Sequence, residues 1–571
     1  MDDTAASDGP VGRVIGTEDA TPLEFWVGVA DGQFLQLDDV VALERTPPGR
    51  DTVKIYGVVS QVRARHEGAR FDSDVFLVAD GVLPAETSEA AQVIATRFEP
   101  EVFVPPLPGT EVRRAADSER DQALFFDTMA ARLPAGLTRD GEPLYANLEF
   151  LDGTRGAHVN ISGISGVATK TTYAMFLVYS LFTSGVLGAE AVNTKALVFN
   201  VKGEDLLFLD HHNRALDEEQ RARYERLGLP AGPFPSVELW APPRRGATTA
   251  VPDVASRSAG VTAFFWTLAE FCADDLLQFL FADAEDDRQQ YTLVIHQVMT
   301  RLREAVPLGD GGVKLDGVEV RRFGDLVDLI RDRLEDDSTR PDWAGTAIGQ
   351  GTINAFLRRL YGAIRHVEHL IRGDVPDPER HRIARERQVT VVDLHNLNDR
   401  AQRFVVGVVL RRTFDDKERS GQSRPLQLVV LDELNKYAPR EGSSPIKEIL
   451  LDVAERGRSL GIILVGAQQT ASEVERRIIA NSSLRVVGRL DAAEAGRDEY
   501  GFLPTVHRDR AKLLKPGTMI LSQPQLPVPL LLEFPFPSWA TRAAEAGVNP
   551  AAGDQPADPF SGLDDDEPLP F

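Results

Sequence analysis

Cysteine is almost missing: Cys272 is the only one in 571 residues. That excludes an intrachain disulfide framework and a cysteine-rich zinc site. Cys272 sits in an apolar helical stretch, 264–279, and reads as a core residue. Positive charge is scarce as well. Lys and Arg number 63 against 87 Asp and Glu, a net charge of −24. General attraction to nucleic acid is excluded, so any DNA contact needs a local basic patch. Long apolar runs are lacking too. The most apolar one, 173–187, contains polar residues and is too short to span a bilayer. The opening Met1-Asp2-Asp3-Thr4 has neither the basic nor the apolar region of a signal peptide. The expectation is a cytoplasmic protein with no membrane partner. No internal repeat is visible. The acid-rich 283–287 lacks the lysine and strand context of a metal nuclease and reads as solvated charge.

What is present reads as several modules, as the length demands. Residues 20–114 look all-β. Runs at 25–29, 34–43, 53–62 and 92–99 are rich in Val, Phe and Ile. They are separated by Asp31-Gly32, Pro47-Pro48-Gly49 and Glu67-Gly68, which predicts a small barrel. A connecting helix is expected over 115–135. From about residue 145 the pattern becomes α/β. Short continuous apolar runs at 159–162, 196–201, 389–394, 427–431, 462–466, 484–487 and 519–521 suit parallel strands covered on both faces. The fold class is therefore α/β: a small β-barrel, then a doubly wound, RecA-like core. The core falls into 115–250 and 389–545, with a helical insertion over 251–388. Within the insertion, Ile353, Phe356, Leu357, Leu360, Ile364, Val367 and Leu370 recur at helical spacing. Arg358, Arg359, Arg365 and Arg372 accompany them, as a DNA-facing strip or, more simply, a solvated face. The segment 546–571 is Pro-, Asp- and Ala-rich and reads as disordered.

The stretch 157–182 organises the chain. A short apolar strand runs into Gly163-Ile164-Ser165-Gly166-Val167-Ala168-Thr169-Lys170-Thr171-Thr172, followed by an apolar helix. This is the layout of a phosphate-binding loop. Glycines let backbone N–H groups close around phosphate oxygens, lysine reaches the terminal phosphates, and the next hydroxyl ligates Mg²⁺. The spacing departs from the usual pattern: the lysine comes one residue late after Gly163, and Thr169 replaces the glycine before it. The same letters also suit a glycine turn ahead of a buried helix.

A second half lies far downstream. Leu426 to Leu431 is an apolar strand delivering Asp432 and Glu433 at its C-terminal edge. Asp432 would help hold Mg²⁺, and Glu433 would polarise the attacking water. Arg458 follows on a helix, and Gln468 ends the next strand. Gln468 could read the γ-phosphate or merely cap. Arg458 could act as an arginine finger in a neighbouring subunit or form a surface ion pair.

In this order, barrel, Lys170-Thr171, Val201-Lys202-Gly203-Glu204, Val391-Val392-Asp393-Leu394, Leu431-Asp432-Glu433, Glu455-Arg456-Gly457-Arg458 and Ala467-Gln468 resemble the HerA-type ATPases of the HerA/FtsK group of hexameric DNA translocases. The resemblance spans roughly 20–540. It implies ATP and Mg²⁺ as cofactors, with Gly163, Gly166, Thr169, Lys170, Thr171 and Thr172 around the phosphates. Thr171 and Asp432 would hold the metal, and Glu433, Gln468 and Arg458 would serve catalysis, with Arg456 the runner-up to Arg458. It also implies a homo-hexamer threaded by double-stranded DNA, a NurA-type nuclease docked on the barrel, and a role in DNA end processing. Lys436 and Arg440 are the candidates for DNA contact. The motor of an antiphage defence complex and an ATP-controlled ring scaffold with slow hydrolysis stay open as alternatives. The last 18 residues hold six acids and no base, and close on Pro570-Phe571. They resemble the acidic tip of bacterial single-stranded-DNA-binding proteins, which implies docking to proteins that read such tips. A solvated tail fits the same letters.

Overall fold

The structure is a computed structural model describing residues 9–67, 71–83, 86–164, 170–257, 259–281 and 289–548. Six strands form the N-terminal barrel: β1 (Gly12–Val14), β2 (Glu24–Val29), β3 (Val40–Arg45), β4 (Val53–Glu67), β5 (Glu86–Glu99) and β6 (Glu111–Arg114). They close in the order β1-β2-β5-β4-β3-β6, and every pairing is antiparallel. Period-2 alternation drives this, because Phe25 and Val27, Val53 and Ile55, and Val93 and Ala95 all point into one core. Residues 34–39, expected as strand, instead precede β3, and Asp38 there takes a left-handed φ of 74°.

No single helix spans 115–135. A short helix, Asp117–Ala123, gives way to β7 (Arg132–Leu137) and β8 (Pro143–Asn147), which join the main sheet. That sheet continues through β9 (Val159–Ser162), β10 (Lys195–Asn200), β11 (Val237–Ala241) and β12 (Val261–Ala263). The insertion is not wholly helical. β13 (Trp266–Thr267) pairs with β17 (Ile371–Arg372), and β14 (Val306–Pro307), β15 (Val313–Leu315) and β16 (Val318–Val320) form a small sheet. Around them pack the helices Gln289–Leu302, Phe323–Glu335 and Gln350–Val367. The helix Gln350–Val367 buries Ile353, Phe356, Leu357, Leu360 and Val367 as its spacing requires. Arg358 and Arg365 are exposed, but Arg372 is buried and bonds Asp374 and the carbonyls of Ala247 and Thr248, so the four arginines form no common strip. Cys272 is a buried core residue, and burial pushes its thiol up to about 12.

The main sheet is completed by β18 (Val389–Asp393), β19 (Gln427–Leu431), β20 (Ile462–Gln468), β21 (Leu484–Val487), β22 (Thr518–Ser522) and β23 (Leu530–Glu533). Its order is β12-β11-β18-β10-β19-β20-β9-β21-β22-β23-β7-β8. From β12 to β21 every neighbour is parallel. From β21 to β8 every neighbour is antiparallel, so the 519–521 run is not a parallel strand. The parallel half is covered on both faces. Val429 and Leu431 enter one hydrophobic core, and Leu428 and Val430 the other, which is why these strands read as unbroken apolar runs. β20 lies between the loop strand β9 and the acid strand β19, the arrangement of a RecA-like core with one strand inserted between the two.

The helix Lys170–Thr183 lies on the second core and is buried nearly all round, including Tyr173, Phe176 and Tyr179. After β23 the chain returns across this helix. Phe534 lies tilted against Tyr173 and Phe176, and Trp539 against Tyr179. Asn213 and Tyr224 donate to the carbonyls of Pro537 and Phe536 at 2.9 and 3.0 Å. These contacts set the segment 536–545 beside the first turn of the helix.

Candidate functional site

Parallel strands gather their C-terminal ends on one edge, and the site forms there. β9 ends at Ser162, and Gly163 donates its N–H to the carbonyl of Gln468 at 3.2 Å. A Cβ at Gly163 would stand 3.2 Å from the Arg489 carbonyl oxygen, so the chain passes through a gap that favours glycine. Gly166 and Thr169 lie outside the described residues. Lys170, Thr171 and Thr172 then form the first turn of a 14-residue helix, whose N-terminal N–H groups and dipole favour an anion. The Lys170 side chain is 2% exposed. Burial pulls its pKa down and Lys202 adds to that, while Asp432 and Glu433 oppose it.

The two sequence-distant halves meet here. The Thr171 hydroxyl donates to Asp432 Oδ2 at 2.8 Å, across 261 residues. The other Asp432 oxygen accepts the Glu433 backbone N–H at 2.8 Å. Glu433 takes a left-handed φ of 55°, uncommon for a residue with a side chain. Strain of this kind clusters at functional sites. Thr171, Asp432 and Glu433 supply hard oxygen donors at a helix N-terminus, a set that could hold Mg²⁺ carried on phosphates. A cavity of about 390 Å³ opens beside them, lined by Lys170, Thr171 and Asp432 and, across from these, by Phe536, Pro537 and Arg542. That volume suits a nucleotide-sized ligand.

Two features of the site were given no role by the sequence. Lys202 places its ammonium 2.8 Å from Glu433 Oε1 and 3.7 Å from Asp432 Oδ2. The signal lay in the register: Phe199 pairs with Leu431, so the residues after β10 run beside Asp432 and Glu433. The other is the 536–545 wall of the cavity, which no local pattern reveals. Next door, Glu204 accepts the N–H groups of Ala255 and Ser256 at 2.6 and 2.7 Å and so fixes the chain entering the insertion. Asp393 bonds His395 at 2.7 Å and Asn200 at 2.8 Å.

The remaining candidates stand apart from the cavity within one chain. Gln468 is fully buried and donates to Asn160 and Ser162, at 3.0 and 2.8 Å. Arg458 lies near the C-terminus of the helix Pro445–Leu460, at the opposite edge of the sheet, and donates to the carbonyls of Gly153 and Thr154. Arg456 pairs with Glu418 on the same edge. Lys436 contacts Asp399 and Gln402, and Arg440 the Ser472 carbonyl and Glu499.

No family model matches the chain, and no curated protein matches it. Among solved structures it is similar to VirB4 of Thermoanaerobacter pseudethanolicus, at 14% identity over 71% of this chain and 96% of that one, with a TM-score of 0.43. The plasmid coupling protein TrwB in complex with ADP and Mg²⁺ is similar at 12% identity over 72% of this chain and 92% of that one, with a TM-score of 0.44. The genome packaging NTPase B204 from Sulfolobus turreted icosahedral virus 2, in complex with ATP-gammaS, matches 26% of this chain and 69% of that one, at 12% identity and a TM-score of 0.20. Among the described residues no helix is long and apolar enough to cross a membrane.

His158, just ahead of β9, ties the site's base to the core. Its Nδ1 accepts the Leu464 N–H at 3.0 Å, and burial lowers its pKa from 6.5 to about 4. The unfolded chain takes up this proton below about 6.5 and the folded chain does not. The group's contribution is therefore complete above about 6.5 and is lost as pH falls towards 4, up to about 3 kcal/mol in all. The urea midpoint should fall between pH 7.5 and 5.0, and less steeply in His158→Asn. Parallel slopes in the two proteins would refute the assignment.

Proposed function

We propose that the chain is a Mg²⁺-dependent ATPase that drives movement along double-stranded DNA. The observation that supports the ATPase is the Thr171–Asp432 hydrogen bond, with Lys170 beside it on one nucleotide-sized cavity and Glu433 next in the chain, paired with Lys202 of the cavity wall. Bound Mg²⁺ would neutralise charge on the phosphates. Lys170 would bind the terminal phosphates, Thr171 and Asp432 would hold the metal, and Glu433 would take the proton of the attacking water. The DNA substrate, the ring of six, the NurA-type nuclease on the barrel and the part in end processing rest on the motif order shared with HerA-type ATPases. So does its rival, the motor of an antiphage defence complex. Lys436 and Arg440 remain the proposed phosphate contacts in the pore. The acidic tail, outside the described residues, remains a proposed docking segment for proteins that read Pro-Phe tips.

One observation favours a second reading, an ATP-controlled ring scaffold with slow hydrolysis. Gln468 bonds inward to Asn160 and Ser162 instead of lining the cavity. ATPase turnover with and without double-stranded DNA separates the two. Stimulation by DNA supports the motor; slow turnover indifferent to DNA supports the scaffold.

Arg458 lies on the far edge of its own sheet, so any catalytic role is in a neighbour's site. Rings of Arg458→Ala alone should be inactive. Mixing them with Glu433→Gln subunits should restore part of the activity, because some interfaces then combine both intact groups. Mixed rings that form and stay dead would assign Arg458 a structural role, holding the Gly153 and Thr154 carbonyls.

A further inference from the structure

The lysine that the motif order left without a role sits on the two acids. Asp432 Oδ2 receives the Thr171 hydroxyl at 2.8 Å and the Lys202 ammonium at 3.7 Å, and the same ammonium is 2.8 Å from Glu433. A divalent cation held by Thr171 and Asp432 competes with this ammonium for the same oxygens. Resting on the nucleotide reading above, we propose that Lys202 is an exchangeable counter-ion of the metal site. It holds Asp432 and Glu433 in the free protein and yields them to a divalent cation that arrives with the triphosphate.

The charges favour exchange over coexistence. Lys170 and Lys202 together balance Asp432 and Glu433, so a lone divalent cation meets a neutral site with an ammonium on its ligand. A triphosphate brings negative charge that draws both cation and lysine inward. Lys202 lines the same cavity as Lys170 and Thr171, so its ammonium reaches phosphates by turning about its own stem. Its side chain is 46% exposed, and an ion pair so open to water is weakly held. The backbone behind it is fixed. Gly203 takes a φ of 56°, and Glu204 is bonded to Ala255 and Ser256. The motion is thus confined to the side chain, and the carboxylates gain their metal only with the nucleotide.

Mn²⁺ is the probe, titrated by electron paramagnetic resonance into the full-length protein without nucleotide. The parent should bind it weakly. Lys202→Met and Lys202→Gln should each bind it at least about tenfold more tightly, and Lys202→Arg should match the parent. Adding Asp432→Asn to Lys202→Met should erase the gain. Equal affinity in parent and both neutral variants overturns the proposal, as does a gain that survives Asp432→Asn. Failure of both neutral variants to fold also overturns it, since an exchangeable counter-ion is no requirement for folding. Binding of a non-hydrolysable ATP analogue to the parent is measured separately. Loss of that binding with the Mn²⁺ gain intact would remove the nucleotide reading and leave the counter-ion role.

Discussion

Glu433→Gln should bind ATP like the parent and hydrolyse it at least about 100-fold more slowly, the usual scale of a lost general base. The carboxamide keeps the volume of the carboxylate and can still accept from Lys202. Asp432 keeps both of its bonds, to the Thr171 hydroxyl and to the backbone N–H of residue 433. What is lost is the carboxylate proposed to take a proton from water. Any uncharged route to hydrolysis would leave turnover near parental, and that result would remove Glu433 from the chemistry. The left-handed backbone at this position is a second handle. Glutamine occupies it about as readily as glutamate, so stability should change little. A fall in Tm of more than a few degrees would mean that the Lys202–Glu433 pair matters more to the fold than its exposure allows.

Much of this site could be read from the sequence because its parts sit on parallel strands buried on both faces. Leu428 to Leu431 feed two cores alternately, so the run is apolar throughout and ends where the chain must leave the sheet. Asp432 and Glu433 stand at that exit, as does Gly163 after β9. The antiparallel half left a weaker trace. β7 mixes Pro134 and Gly136 into its apolar residues, and a register shift falls between them, so 115–135 reads as a helix that extends too far. β1 and β6 close the barrel with three and four residues, too few to show a period.

The features that escaped are held by contacts remote in sequence. Phe534, Pro535, Phe536 and Pro537 leave β23 as an irregular segment. Contacts with the rings of Tyr173, Phe176 and Tyr179, some 360 residues earlier, and the bonds from Asn213 and Tyr224 help bring that exit against the cavity. Lys202 is similar: a lysine after a strand is ordinary until the pairing of Phe199 with Leu431 sets it beside two acids. Arg458 marks the opposite limit. Its place in the order of motifs was clear, but one subunit shows it bonded to its own backbone at the far edge of the sheet.

Lys170→Ala should abolish ATP binding at micromolar nucleotide and lower hydrolysis by about 100-fold or more, the scale on which charge-stabilising groups act in enclosed sites. Lys170 is the one described residue of the loop whose side chain is both charged and buried, and it opens the helix that faces the cavity. Removing it takes away the ammonium that faces Asp432 and Glu433 from inside the fold. Lys202 cannot replace it, because it approaches the acids from the solvent side and is 46% exposed. Lys170→Arg should also fail, since a guanidinium is bulkier than the ammonium that this 2%-exposed position encloses. The two variants divide the outcomes by equilibrium binding of a fluorescent ATP analogue. If both bind and turn over like the parent, the segment 163–172 is a turn ahead of a buried helix, and the Thr171–Asp432 bond serves only to hold β19 to that helix. If the alanine variant fails and arginine restores binding, charge alone is required. Failure of both, with Tm preserved, requires a lysine of this length at this depth, as a phosphate-binding loop does.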